Sequence, residues 1–221
     1  MKWIIKTEVV CVATLLTAEQ QAYGRSLLTK FDQLEGFVPG EGSRNPVLVM
    51  VSEAPGRTEA RVGHPFQGPA GIELDRWLTQ LDLTRAQVYL TGAVRSRPYR
   101  VGKSGQKRDR RPSRVEVEAS APLLDAELAE LKGRLLVPLG NTGLQRLLGS
   151  KFKISAVHGQ LLKLPVRCWN AGQGRFETTA TTYPIFPLYH PSYSKRFKKF
   201  LPVVNRDLEV LADYLQESRL N

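Results

Sequence analysis

Residues 46–71 read PVLVMVSEAPGRTEARVGHPFQGPAG, and the helical pattern IELDRWLTQL follows at once. The first seven residues are an almost unbroken apolar run, which is what a strand buried on both faces requires. In the second pattern Leu74, Trp77, Leu78 and Leu81 recur at i, i+3, i+4 and i+7, the stripe of an amphipathic helix. A strand leading into a helix argues for a parallel sheet. The twenty residues of Gly, Pro and charge between them are more than a connection needs. Pro and Gly turn a chain sharply and let backbone N–H groups approach a ligand.

The same alternation recurs downstream. Residues 87–94 (QVYLTGAV) read as a second strand, 134–138 (RLLVP) as a third and 184–189 (PIFPLY) as a fourth. Ser113 with Glu116 forms a capping box that starts a helix over about 114–131, and Pro122 inside it predicts a kink or a restart capped by Ser120. Residues 141–149 (NTGLQRLLG) follow the third strand, and Val204, Leu208, Leu211 and Leu215 mark a last helix. The expected class is α/β: a three-layer α/β/α sandwich around a central, mainly parallel four-stranded sheet, in one domain spanning residues 1–221. In such sheets ligands sit beyond the C-terminal strand ends. Three unusual loops would meet there: residues 52–71, the segment after VYLTG, and HPSYSKR from His190.

Charge points to the partner. Thirty-two Lys and Arg against 21 Asp and Glu leave +11, and nine basic residues with one acid fall between Arg95 and Arg114. A second cluster, KRFKK, spans 195–199. Such clusters release counterions from phosphates and supply affinity independent of sequence. The expected partner is therefore DNA, single- or double-stranded, bound by a monomer with no membrane involved. Residues 97–114 read as a mobile basic loop that orders on its ligand. The two cysteines, Cys11 and Cys168, make neither a disulfide framework nor a thiolate metal site, which fits a reducing cytoplasm. The N-terminal 20 residues weakly resemble a secretory signal, but Glu8 interrupts a short apolar run, so a buried strand or helix is expected instead.

Four stretches in order carry a more specific likeness: SEAPGRTEARVGHPFQGPAG, VYLTGAVRSRP, LLVPLGNTGLQRLLG and YHPSYSKR. Together, over residues 47–196, they resemble the uracil-DNA glycosylase superfamily, and within it family 4, whose first motif reads G-E-A/G-P-G and then G-x-P-F-V-G-x-A-G. The resemblance implies an enzyme that flips a nucleotide out of DNA and hydrolyses the N-glycosidic bond of its base. It implies that Phe66 stacks on the extruded base, that Ala54, Pro55, Gly56 and Gly92 line its pocket, and that His190 donates, as a neutral imidazole, to a base oxygen where negative charge develops. Glu53, its main-chain neighbours or His190 would position the attacking water. Arg95, Arg97, Lys107, Arg108, Arg110 and Arg111 would grip phosphates. Ser192, Tyr193, Ser194, Lys195 and Arg196 would contact DNA in the loop HPSYSKR, which would press into the gap that the base leaves, with Tyr193, Ser194 or Lys195 as the wedge.

Two departures from the family stand out. Its members usually hold an iron–sulfur cluster on four cysteines; here Ser96 and a position at or beside Ser120 replace two of them, and Cys11 stands alone. No cluster, and no other cofactor or metal, is expected. The strand VYLTG ends in Gly92 where the family usually has an Asn that reads the pyrimidine edge. Without that amide, selection for uracil is open to three outcomes: another residue reads the edge, the pocket takes a bulkier modified or damaged pyrimidine, or catalysis is lost and DNA binding remains.

Overall fold

The computed structural model describes residues 13–220, less the side chains at 194, 195, 219 and 220. Residues 1–12 of the signal-like segment, Cys11 among them, lie outside the described residues. A first helix, α1 (Ala18–Lys30), starts at a Thr17 capping box and leads to two short strands, β1 (Leu34–Phe37) and β2 (Glu41–Gly42). Then come β3 (Leu48–Ser52), α2 (Arg57–Val62), α3 (Pro69–Gln80) and β4 (Val88–Gly92). Strands β5 (Ser96–Val101) and β6 (Lys107–Asp109) precede α4 (Arg114–Glu130), β7 (Leu135–Pro138) and α5 (Gly140–Leu148). The chain closes with α6 (Ile154–Val157), the hairpin β8 (Leu162–Asn170) and β9 (Arg175–Ile185), α7 (Pro191–Arg196) and α8 (Leu201–Leu220).

The main sheet runs β2-β4-β3-β7-β9-β8. The four strands expected from the sequence, β4, β3, β7 and β9, are its parallel centre. Strands β2 and β8 pair antiparallel at the two edges, so the sheet has six strands rather than four. Side chains alternate across β3 as the pleat demands. Leu48 and Met50 face a cluster built on Leu74, Trp77 and Leu78 of α3 and Val204, Leu208, Leu211 and Leu215 of α8. Val49 and Val51 face Leu124 and Leu128 of α4 and Leu144 and Leu147 of α5. Two helical layers therefore cover both faces, the expected sandwich.

Three expectations change. The Ser113–Glu116 capping box forms as read, but α4 runs unbroken through Pro122, whose side lies exposed. The strand expected at 184–189 hydrogen-bonds as β9 only to Ile185, and Phe186 and Leu188 continue beside β7 through N–H bonds to Leu136 and Pro138. Residues 97–114 are not a loose loop. Strand β5 pairs with β1 on one side and β6 on the other in a small second sheet, and the segment ends at the cap of α4.

Candidate active site

The C-terminal ends of β3, β4 and β7, with the extended chain after β9, form one rim. At the end of β3, Ser52 passes into Glu53, whose carboxylate accepts a hydrogen bond from Thr142 Oγ1 in the first turn of α5. Gly140, the first residue of α5, has φ +77° and lies against His190, where an added Cβ would sit 3.2 Å from the His190 Cβ. Thus α5 brings Glu53 and His190 to the same edge.

His190 caps α7. The Ser192 N–H donates to His190 Nδ1 at 3.2 Å, and Ser192 Oγ lies 2.8 Å from the same nitrogen. A backbone N–H can only donate, so Nδ1 is the acceptor and the neutral ring carries its proton on Nε2. Burial disfavours the imidazolium and lowers the pKa to about 4. The ring is therefore a neutral donor throughout the physiological range.

Phe66 faces it. The two rings are stacked, with centroids 6.3 Å apart and planes at 23°. Phe66 is 7% exposed and has φ +54°, a left-handed conformation uncommon for an aromatic residue. Its surroundings hold it there. The Phe66 carbonyl accepts from Arg85 Nη2 at 2.7 Å, and Asp75 anchors Arg85 at 2.6 Å. Gly71 packs so tightly that a Cβ would lie 1.9 Å from the Phe66 carbonyl oxygen. Backbone strain kept in place by its neighbours is common where a ligand must be met in one geometry.

The loop between β3 and α3 closes on Glu59, a residue the sequence reading left out. Its buried carboxylate accepts from the N–H groups of Gly56 (3.1 Å), Gln67 (2.9 Å) and Gly68 (2.7 Å). One acid thus fixes both ends of the loop that carries Ala54, Pro55 and Phe66. The three-residue spacing from Gly56 is that of a capping box, the one signal that could have found it. Thr142 and Arg85 had no such signal, since each acts across a long sequence separation.

A pocket opens among Ser52, Ala54, Pro55, Phe66, Gly92 and Arg95. Gly56, the cap of α2, is not among the residues that line it, nor are Glu53 and His190. At Gly92 the expected vacancy is absent: a Cβ would meet Ser52 Oγ at 3.1 Å, and the Gly92 carbonyl accepts from Arg95 Nη1. Arg95 is not a surface phosphate grip. Its side chain is 3% exposed and paired with the fully buried Glu127, which also accepts from Thr91 Oγ1 at 2.5 Å. Burial raises the Glu127 pKa, with Arg95 opposing it. A buried charge is tolerated only with such partners.

Arg97 gives the same correction. Also 3% exposed, it spans Glu35 and Asp109. Lys107 pairs with Glu35 and lies 4.1 Å over the Tyr99 ring, and Arg110 holds Glu116 at 2.6 and 2.8 Å. Arg108 is exposed, and Arg111 donates to Gln145 at 3.0 Å. Ser192 serves the His190 cap. Tyr193 stacks on Tyr189 with centroids 5.4 Å apart, and the Arg196 guanidinium lies 5.8 Å from the Phe197 ring. The side chains of Ser194 and Lys195 lie outside the described set.

The iron–sulfur cluster that the resemblance raises has no ligand set here. Ser96 and Ser120 are buried serines, and Cys168, on β8, is the described cysteine. Among the described residues no three His, Cys, Asp or Glu converge on a metal-sized site. Among them, too, no helix is long and apolar enough to cross a membrane.

The model of the uracil DNA glycosylase superfamily matches residues 39–211. A type-4 uracil-DNA glycosylase of Pyrobaculum aerophilum is 34% identical over 173 residues, 74% of this chain and 79% of that one. Its counterpart in Archaeoglobus fulgidus is 32% identical over 187 residues, 81% and 87% of the two chains. The crystal structure of Pedobacter heparinus SMUG2 matches with a TM-score of 0.50 at 11% identity, covering 95% of this chain and 88% of that one, a likeness of fold alone.

Proposed function

The chain belongs to the uracil-DNA glycosylase superfamily, and from that premise we propose that it releases uracil, or a pyrimidine substituted on its ring edge, from DNA. It is a monofunctional DNA glycosylase, hydrolysing the bond between base and sugar. The reading is carried by one observation: the Phe66 ring, which lines the pocket, and the neutral His190 ring stand stacked with centroids 6.3 Å apart, close enough to touch the same small molecule.

A duplex hides the glycosidic bond, so the nucleotide must first turn out, at a cost of a few kcal/mol. Phe66 offsets part of that by stacking on the base, an interaction worth about 1–3 kcal/mol. As the bond to C1′ breaks, negative charge gathers on the base and positive character on the sugar. His190 Nε2–H donates to the base oxygen at that moment. A donor fixed in place beforehand loses nothing to reorganisation, which is why such donors dominate this kind of catalysis. Glu53, held by Thr142, orients the water that attacks C1′. Water supplies the oxygen to the sugar and a proton to the departing base, so the products are a free base and an abasic site.

Gly92 is where the choice between uracil and a substituted pyrimidine would be made. It offers no side-chain amide to the pyrimidine edge, and Ser52 Oγ and the Arg95-bound Gly92 carbonyl stand at that end of the pocket. The test is base release from oligonucleotides carrying uracil, hypoxanthine or modified cytosines, read as alkali-labile breaks. Release that His190→Ala lowers steeply is expected. Binding without breaks on any substrate would leave a non-catalytic DNA-binding protein in its place.

A further inference from the structure

A second, larger opening shares no lining residue with the base pocket. It runs from Thr142 along α5, between the start of α4 and the β8–β9 hairpin. Its volume is about 700 Å³, against about 60 Å³ for the base pocket, so it suits a length of polymer better than a single base. Arg111, Arg114, Arg146 and Arg167 line it, with Glu118 the one acid on its wall.

These arginines are poorly neutralised. Asp125 pairs Arg146, yet the Arg146 Nε is buried with no hydrogen-bond partner. Arg114 pairs with Glu118 while 90% exposed, an ion pair worth little in water. Arg111 and Arg167 reach only neutral acceptors, the Gln145 side chain at 3.0 Å and the Gln145 carbonyl at 3.2 Å. Burial and the neighbouring Arg146 and Arg114 lower the Arg167 pKa. Two of the four cations, Arg111 and Arg167, thus have no carboxylate partner among the described residues.

Arg167 is also held in place. Its guanidinium lies 4.0 Å over the Phe176 ring, and that of Arg146 lies 4.8 Å from the same ring. A guanidinium already fixed loses less rotamer freedom when it binds phosphate. Since Thr142 both lines this groove and bonds Glu53, the groove ends at the proposed reacting centre.

We propose that this groove binds the phosphodiester backbone of the DNA strand on one side of the flipped nucleotide, with Arg111 and Arg167 as its principal phosphate contacts. The proposal rests on the reading that the chain acts on DNA; of its two contacts Arg111 was among the expected phosphate grips, and Arg167 and the path along α5 are new.

The test uses single-stranded oligonucleotides with a central abasic analogue, so that binding is measured without base release. The flank is lengthened one nucleotide at a time on either side. The wild type should gain affinity in a step as one flank reaches the groove. In the double variant Arg111→Gln/Arg167→Gln the step should vanish, and the slope of log affinity against log salt should fall by about 1.4, two contacts at roughly 0.7 each. Arg111→Lys/Arg167→Lys should keep most of that slope. An equal step and slope in wild type and the glutamine variant would overturn the proposal, as would a lysine variant that loses as much as the glutamine one. Base release is assayed separately. A protein that releases no base yet shows the step keeps the groove and loses the glycosylase reading; release without the step does the reverse.

Discussion

The His190 tautomer makes a prediction about pH. An ordinary histidine, with a pKa near 6.5, would be about three-quarters protonated at pH 6. With the pKa lowered to about 4, the fraction at pH 6 falls to about 1%, and at pH 5 to about 10%. Only the neutral ring keeps Nδ1 free to accept from Ser192. Single-turnover base release should therefore show no His190 titration between pH 5 and 8. Stability should respond to the same shift. The folded pKa lies below the unfolded one, so below pH 6.5 the unfolded chain binds more protons, and stability falls as pH drops from about 6.5 towards 4. Two and a half units correspond to at most about 3 kcal/mol, since the ring keeps a partly exposed edge. His190→Ala should remove this acid sensitivity and slow base release about 10²–10³-fold, the loss typical of one such donor. The assay is single-turnover release from a labelled oligonucleotide across pH, beside urea unfolding at matched pH. A wild-type inflection near pH 6.5 that disappears in His190→Ala would refute the assignment.

Other perturbations separate the parts of the site. Glu59→Ala strands three loop N–H groups and should cost roughly 2–4 kcal/mol in urea unfolding; a loss under 1 kcal/mol would mean that the loop is held elsewhere. Gly71→Ala drives a methyl into the Phe66 carbonyl and should cost about 1–3 kcal/mol, with weaker binding of target-base oligonucleotides; unchanged binding would show that the Phe66 conformation is dispensable. Glu127→Ala leaves the Arg95 charge buried alone and should cost about 3–5 kcal/mol, measured by thermal and urea unfolding; near-neutrality would mean that water reaches Arg95. At Gly92 an added Cβ meets Ser52 Oγ at 3.1 Å and the Val94 carbonyl oxygen at 3.4 Å, the first of them able to rotate away, so Gly92→Asn should fold and shift base preference towards uracil over cytosine; identical release ratios would remove Gly92 from specificity.

Strands β3, β4 and β7 were legible in the sequence because each is a largely apolar run buried on both faces, and the covering helices α3 and α8 repeat their apolar stripes. Leu74, Trp77 and Leu78, and the α8 stripe from Val204 to Leu215, are buried as their spacing required. The β8–β9 hairpin was not legible. Its strands mix Lys, Arg, Thr and Pro, because an edge hairpin buries little and alternation is its only constraint. Motif order led to Phe66 and His190, but nothing in it distinguished a basic residue that faces solvent from one that is neutralised inside. Arg95 and Arg97 read as phosphate grips because a run of basic residues says nothing about which acids fold back on them. Their partners, Glu127 and Glu35, lie 32 and 62 positions away.

Those ion pairs also answer what secures this side of the molecule when serines stand in the cluster positions. Ser96 opens β5 and Ser120 lies within α4. On either side of that pair, Arg95 binds Glu127 and Arg110 binds Glu116, both acids of α4. The segment from 95 to 110 is therefore clamped at both ends onto one helix, seven residues before Glu127 and four after Glu116 placing Ser120 between the clamps. Arg97 adds a third tie, to Glu35 on β1 and Asp109 on β6. A metal cluster can hold distant segments through a few strong bonds. Here several arginines do so by bidentate or shared bonds to carboxylates, which have directional geometry and low conformational cost once buried. The Arg95 clamp also bonds the Gly92 carbonyl at the pocket wall. The guanidinium that ties this segment to α4 is thus in direct contact with the pocket wall at Gly92.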